Sequence, residues 1–162
     1  MDVREVSGVI DFAARQYSFV VLDLPRSDAT MLDQLEHVAS LTIVANQELA
    51  TVRSAARLAT ALRQRYGGGR INVAVSRYDK ASDIGKDDIA RTVGSPIKHL
   101  FPSDYRAAVD ALNLGKPLVV DNHTRLAASF IEFSRGLSGQ AETAAESGSK
   151  PVGLFSRFGG RR

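Results

Sequence analysis

The sequence predicts an α/β fold, a parallel sheet with flanking helices, and three observations carry that expectation. Short apolar runs rich in β-favouring residues stand at 19–22, 41–45, 71–75 and 97–101. Between them lie stretches with apolar residues at helical spacing, each long enough for the crossover that parallel strands require. The first run ends in Asp23, Leu24 and Pro25, so a carboxylate falls at a strand's carboxyl end, where open α/β sheets bind ligands. An aspartate after an apolar run reads equally as a turn former or helix cap.

Residues 2–17 place Val3, Val6, Ile10, Ala13, Ala14 and Tyr17 on one helical face, which predicts an amphipathic helix feeding the first strand, 19–22. Ser27 and Asp28 can cap a second helix through His37 that buries Met31, Leu32, Leu35 and Val38. Strand 41–45 follows. Residues 48–66 form the longest predicted helix, with Leu49, Val52, Ala56, Ala59, Leu62 and Tyr66 on one face and Arg53, Arg57 and Arg65 in solvent. Gly67, Gly68 and Gly69 close a helix and precede the strand 71–75, the reverse of a phosphate-cradling loop, and so read as a helix stop. A short helix, 86–93, ends at Gly94 before Pro96, and strand 97–101 follows. Ser103 and Asp104 cap a helix with Tyr105, Ala108, Val109 and Leu112 inward, stopped by Gly115 and Pro117. Residues 123–137 supply the last helix, carrying Leu126, Phe130, Ile131 and Leu137.

The predicted domain is 1–137. From 138 to 162 the chain reads as a flexible tail, because Gly, Ser, Ala and Glu dominate and cannot bury enough surface to become ordered. Its tip mixes Leu154, Phe155 and Phe158 with Arg157, Arg161 and Arg162, a basic and aromatic peptide suited to weak contact with an anionic membrane or an acidic partner. It reads equally as a solubilising end. Four of the 21 basic residues lie in 150–162, which has no acid, so 17 bases face 18 acids in the body and nucleic acid is disfavoured as a partner. The chain has no cysteine, and its first residues show no apolar core of an export signal, which suits the cytoplasm. His37, His99 and His123 show no paired ligand spacing, and no metal site is assigned.

Four pieces in order carry a family resemblance: Val20-Val21-Leu22-Asp23-Leu24-Pro25-Arg26, Ser76-Arg77-Tyr78-Asp79, Pro102-Ser103-Asp104-Tyr105-Arg106 and Gly115-Lys116-Pro117-Leu118. Together they resemble the CpaE/TadZ group of MinD/ParA-like P-loop ATPases, which help position and assemble Flp (Tad) pili in bacteria. The likeness spans residues 3–137 and only the second half of that ATPase domain, an incomplete P-loop NTPase fold of the MinD-like (SIMIBI) class. It implies ATP and Mg²⁺ as cofactors, pilus assembly proteins as partners, and a peripheral place at the inner membrane or cell pole. By position, Asp23 matches the acidic residue that reaches the metal through water or orients the attacking water. Ser76 and Arg77 match an Asn-Arg pair that reads adenine, and Phe101 and Pro102 match the segment whose backbone approaches the base. A serine hydroxyl cannot offer the paired donor and acceptor of asparagine.

No G-x-x-x-x-G-K-[ST] motif occurs in the sequence, so nothing here opposes triphosphate charge through a phosphate loop, and this chain alone is expected neither to bind ATP well nor to hydrolyse it. Association, with itself or a complementary chain, is the expected mode of action. The alternative is a receiver-like signalling module with Asp23 as phosphoacceptor, although Lys116 and Pro117 follow a predicted helix rather than a strand. The tail is testable directly. Truncation at Gly139 is expected to leave the unfolding midpoint nearly unchanged while abolishing co-sedimentation with anionic liposomes. At about 1 kcal/mol per basic residue that binding is weak and salt-sensitive.

Overall fold

The structure is a computed structural model that describes residues 3–24, 33, 35–120 and 123–139. Its elements are α1 (Val3–Gln16), β1 (Leu41–Ala45), α2 (Leu49–Tyr66), β2 (Ile71–Tyr78), α3 (Lys86–Val93), β3 (Ile97–Pro102), α4 (Tyr105–Leu114) and α5 (Arg125–Leu137). The chain divides into two compact units, one through Tyr105 and one from Arg106. Among the described residues no helix is long and apolar enough to cross a membrane.

In the first unit the three strands form one parallel sheet in the order β1-β2-β3. The core lies on one sheet face: Leu41, Ile43 and Ala45 of β1 and Val73 and Val75 of β2 pack with Val52, Ala55, Ala59 and Leu62 of α2 and Ile89 and Val93 of α3. Both crossover helices therefore cover the same face, as strands added in one direction with one crossover hand require. Helix α2 ends where Gly67 takes φ 75° and donates its N–H to Arg63 O at 3.0 Å, the glycine stop predicted from sequence.

Helix α3 is closed by a side chain from its neighbour. Gly94 takes the left-handed φ of 70°, and Arg63 of α2 donates to Val93 O at 3.0 Å, Gly94 O at 3.2 Å and Ser95 Oγ at 2.7 Å. A guanidinium so placed satisfies orphan carbonyls at the negative end of the helix dipole. A Cβ at Gly94 would stand 3.3 Å from Arg63 Nη2, so the same glycine admits both the turn and the arginine. Arg65, expected in solvent, pairs with Asp33 at 3.0 Å on the surface.

Three expectations need correction. The stretch 19–22 is not a strand: residues 19–24 run without ladder partners, with Phe19 68% and Val21 91% exposed. Only Leu22 and Leu24 pack against the core, so side chains hold this segment while its main chain finds no neighbour among the described residues. Of the second predicted helix the structure describes residue 33, in a 3-10 turn, and 35–37, where Val38 N–H to Leu35 O at 3.2 Å closes a turn in place of the helix end; the rest, with Ser27, Asp28, Met31 and Leu32, lies outside the described residues. Leu35 and Val38 nonetheless reach the core as expected. Helix α4 forms, but its expected inward face does not: Tyr105 is 82% and Leu112 79% exposed, and none of its residues is buried. Apolar spacing sets which side chains share a face, and a facing element must still cover them.

In the second unit α5 is capped by Thr124, whose hydroxyl accepts from Ala127 N–H at 3.1 Å, and it buries Leu126, Ala127 and Ser129. Pro25, Arg26 and the tail from 140 lie outside the described residues. Replacement of Ile89, which has no exposed surface and joins α3 to the sheet, is a direct test of the core. Ile89→Ala is expected to cost about 2 to 5 kcal/mol of unfolding free energy, read from denaturant titration.

Candidate site at the carboxyl end of the sheet

The carboxyl ends of the three strands are held together by main-chain and amide hydrogen bonds that span more than 20 residues of sequence. Ser103 donates its N–H to Tyr78 O at 3.1 Å, tying the end of β3 to that of β2. Gln47, two residues past β1, binds the loop after β2 at both ends. Its Oε1 accepts from Asp79 N–H at 2.6 Å, and its Nε2 donates to Asp79 O at 3.0 Å and Ile84 O at 2.7 Å. A carboxamide presents donor and acceptor side by side as a peptide group does, so Gln47 continues the β1/β2 pairing by one more step in side-chain form. Asp79 tightens the loop from within, its Oδ1 accepting from Ala81 N–H at 2.9 Å.

Ser76 and Arg77 sit at a bulge. The β2/β3 register passes from Val75↔Leu100 to Tyr78↔Pro102, so three steps along β2 match two along β3 and one residue of β2 is extra. Arg77 absorbs it by adopting φ 54°, the left-handed region, the only non-glycine among the described residues to do so. Such a conformation costs about 1 to 3 kcal/mol and persists only where its surroundings impose it. Across the ladder, Phe101 is buried and meets the His99 ring edge-on at 4.6 Å between centroids, while Pro102 ends the strand half-exposed.

Four of the sequence-predicted site residues are thus brought together: Ser76 and Arg77 lie opposite Phe101 and Pro102 at one end of the sheet. Asp23 is not joined to them. It is exposed at the end of the unladdered segment and makes no hydrogen bond or ion pair among the described residues. A phosphoacceptor of the receiver type would end a sheet strand, and Asp23 does not. Among the described residues no group of three metal-ligating side chains comes together.

Sequence reasoning missed Asn46 and Gln47. Asn46 donates from Nδ2 to Glu48 Oε1 at 2.8 Å, while its Oδ1 is buried with no donor. Such an acceptor ordinarily costs about 1 to 3 kcal/mol. Both residues look like loop polar groups in sequence, and only the position directly after a predicted strand could have pointed to them. Two surface depressions lie elsewhere. One, of about 370 Å³, is lined by Asp33, Glu36, Arg65, Tyr66 and Arg70, and the other runs along Arg53, Arg57 and Thr92.

A parallel sheet with both crossover helices on one face defines the chain as a parallel α/β protein. Solved structures make that more specific. The chain is similar to the ParA family ATPase from Chlorobium tepidum TLS, with 27% identity over 83% of this chain and 57% of that one and a TM-score of 0.75. It is also similar to the cell division protein MinD from Aquifex aeolicus, with 19% identity over 86% of this chain and 61% of that one and a TM-score of 0.72. For the MinC:MinD complex from the same organism the values are 20% identity, 94% and 62% coverage, and a TM-score of 0.75. No family model and no curated protein matches the chain. The fold is therefore the ParA/MinD-like, P-loop NTPase-like parallel α/β fold in incomplete form, spanning 57 to 62% of the length of these solved chains.

The Gln47 latch makes a sharp prediction. Gln47→Ala is expected to cost roughly 1 to 2 kcal/mol and to speed amide exchange at Asp79. Gln47→Glu keeps the acceptor for Asp79 N–H but turns a carboxylate toward two carbonyl oxygens, and its loss should equal or exceed that of alanine.

Proposed function

We propose that this chain is the C-terminal half of a CpaE/TadZ-like ATPase domain that acts by association in the localisation and assembly of Flp/Tad pili, without ATP turnover of its own. One observation carries the reading: Ser76-Arg77 and Phe101-Pro102 meet at the carboxyl end of a ParA/MinD-like sheet. They are the two segments that, by resemblance, face an adenine. The left-handed Arg77 and the loop pinned by Gln47 hold the main chain at that end.

The phosphate half of such a site is what the sequence does not contain. Phosphate binding in these folds rests on glycine-rich backbone amides at a helix N-terminus together with a lysine, and no such motif is present. Base contacts alone hold nucleotide weakly, and Asp23 stands outside the cluster, so neither metal nor attacking water is positioned. ATP and Mg²⁺ belong to the complete domain rather than to this chain by itself. Partners are proteins: a complementary chain or a second copy, and components of pilus assembly. Residues 138–162 are proposed as a flexible tail whose tip adds weak contact with an anionic membrane, placing a cytoplasmic protein at the inner membrane or pole.

Calorimetry with ATP and Mg²⁺ tests the catalytic part of this reading. No resolvable heat and no phosphate release are expected from the isolated chain. Micromolar affinity that disappears in Asp23→Ala would overturn it.

A further inference from the structure

Along a strand, successive residues point their N–H and C=O groups to opposite neighbours. Leu41 donates its N–H to Arg70 O at 2.8 Å, on the β2 side, so Ile43 and Ala45 also face β2. Thr42 and Val44 then direct their N–H and C=O groups to the other side, where β1 is the edge of the sheet. Among the described residues nothing pairs with them. The edge carries none of the features that ordinarily guard one: the strand has no charge and no proline, and its register with β2 is unbroken. Val44 is 60% exposed.

We propose that this open edge is an interface between two copies of the chain, formed by antiparallel pairing of β1 with β1 of the second copy about a twofold axis at Ile43. The proposal rests on the reading that the chain acts by association, and it adds the surface and the partner. Self-complementarity selects the occupant. With Ile43 opposite Ile43 of the second copy, Thr42 stands opposite Val44 of the second copy and exchanges both main-chain hydrogen bonds with it, and the reciprocal pair does the same. Every outward N–H and C=O of both strands is then satisfied. A slip by one residue would set outward groups against residues that face β2, so parity excludes every odd slip.

The side chains agree with it. Leu41, Ile43 and Ala45 belong to the buried cluster with α2, so Thr42 and Val44 lie on the opposite sheet face. There, Val44 of each copy packs on Thr42 of the other, β-branched against β-branched, as favourable cross-strand pairs do. The strand is uncharged, so the twofold axis brings no like charges together within it.

Sedimentation velocity of the full chain over a wide concentration range, with residue-resolved amide hydrogen exchange, tests the proposal. The mass is expected to double with rising concentration while the Thr42 and Val44 amides gain protection in step. Val44→Lys, at a position exposed in the single chain, is expected to remain monomeric with an unchanged far-ultraviolet dichroism spectrum; Thr42→Lys is the second variant should the first fail to fold. A monomer throughout overturns the proposal, whether or not residues 19–24 close onto β1. So does a dimer in which Thr42 and Val44 stay unprotected, and so does a dimer retained by the lysine variants. The measurement needs no nucleotide, so an ATP affinity that overturned the functional reading would leave this result standing on its own.

Discussion

Every main-chain N–H and C=O taken out of water must find a partner, and among the three strands of this chain only β2 meets that demand on both sides. The rest of the molecule is arranged around that fact. Val73, Ala74 and Val75 of β2 are wholly buried, and α2 and α3 close one face over Val73 and Val75. Order falls away from the centre. Strand β1 is paired on one side, and the segment 19–24 touches the core through Leu22 and Leu24 with no ladder at all. Helices α1 and α4 hold their hydrogen bonds internally and need no ladder neighbour, and Val9, Phe12 and Leu112 on them are exposed.

The carboxyl end of the sheet shows how a polar region is organised by bonds between loops. Gln47 replaces a missing main-chain step between β1 and the loop after β2, and Ser103 does the same between β3 and β2 with its own N–H. These ties run across the sheet rather than along the chain, so the loops behave as one framework in which the bulge at Arg77 is held. Arg63 performs the corresponding task on the helical layer, closing α3 from α2. In Gln47 and Arg63 a side chain with several fixed donors or acceptors stands in for the backbone that regular structure would have supplied.

What could be read in the sequence follows from the range of the interactions involved. Strands β1, β2 and β3 and helices α2 and α3 are bounded by local signals, such as apolar runs, the glycines at 67 and 94 and Pro96, and they form where those signals place them. The run at 19–22 has the same local signature as β1, but a strand is completed by a neighbour, and a neighbour is not a local property. The pairing of Ser76 and Arg77 with Phe101 and Pro102 came from the family resemblance; strand order then accounts for it. Gln47 and Asn46 were not visible, since the bonds of Gln47 reach 32 and 37 residues ahead and the lack of a donor at Asn46 is a property of packing. Nor was the bulge, because Arg77 is neither glycine nor asparagine and nothing local announces a positive φ.

That last feature constrains how the protein can drift. In the left-handed region a Cβ crowds the backbone, glycine is free of the penalty, asparagine and aspartate tolerate it, and valine, isoleucine and threonine are close to forbidden. Position 77 therefore filters substitutions by backbone shape before any ligand is considered, even though it lies in a strand, where β-branched residues would otherwise be the commonest replacements. A narrow set of residues at this position among relatives would record the geometry of the bulge. Only a preference for arginine over glycine and asparagine within that set would record chemistry.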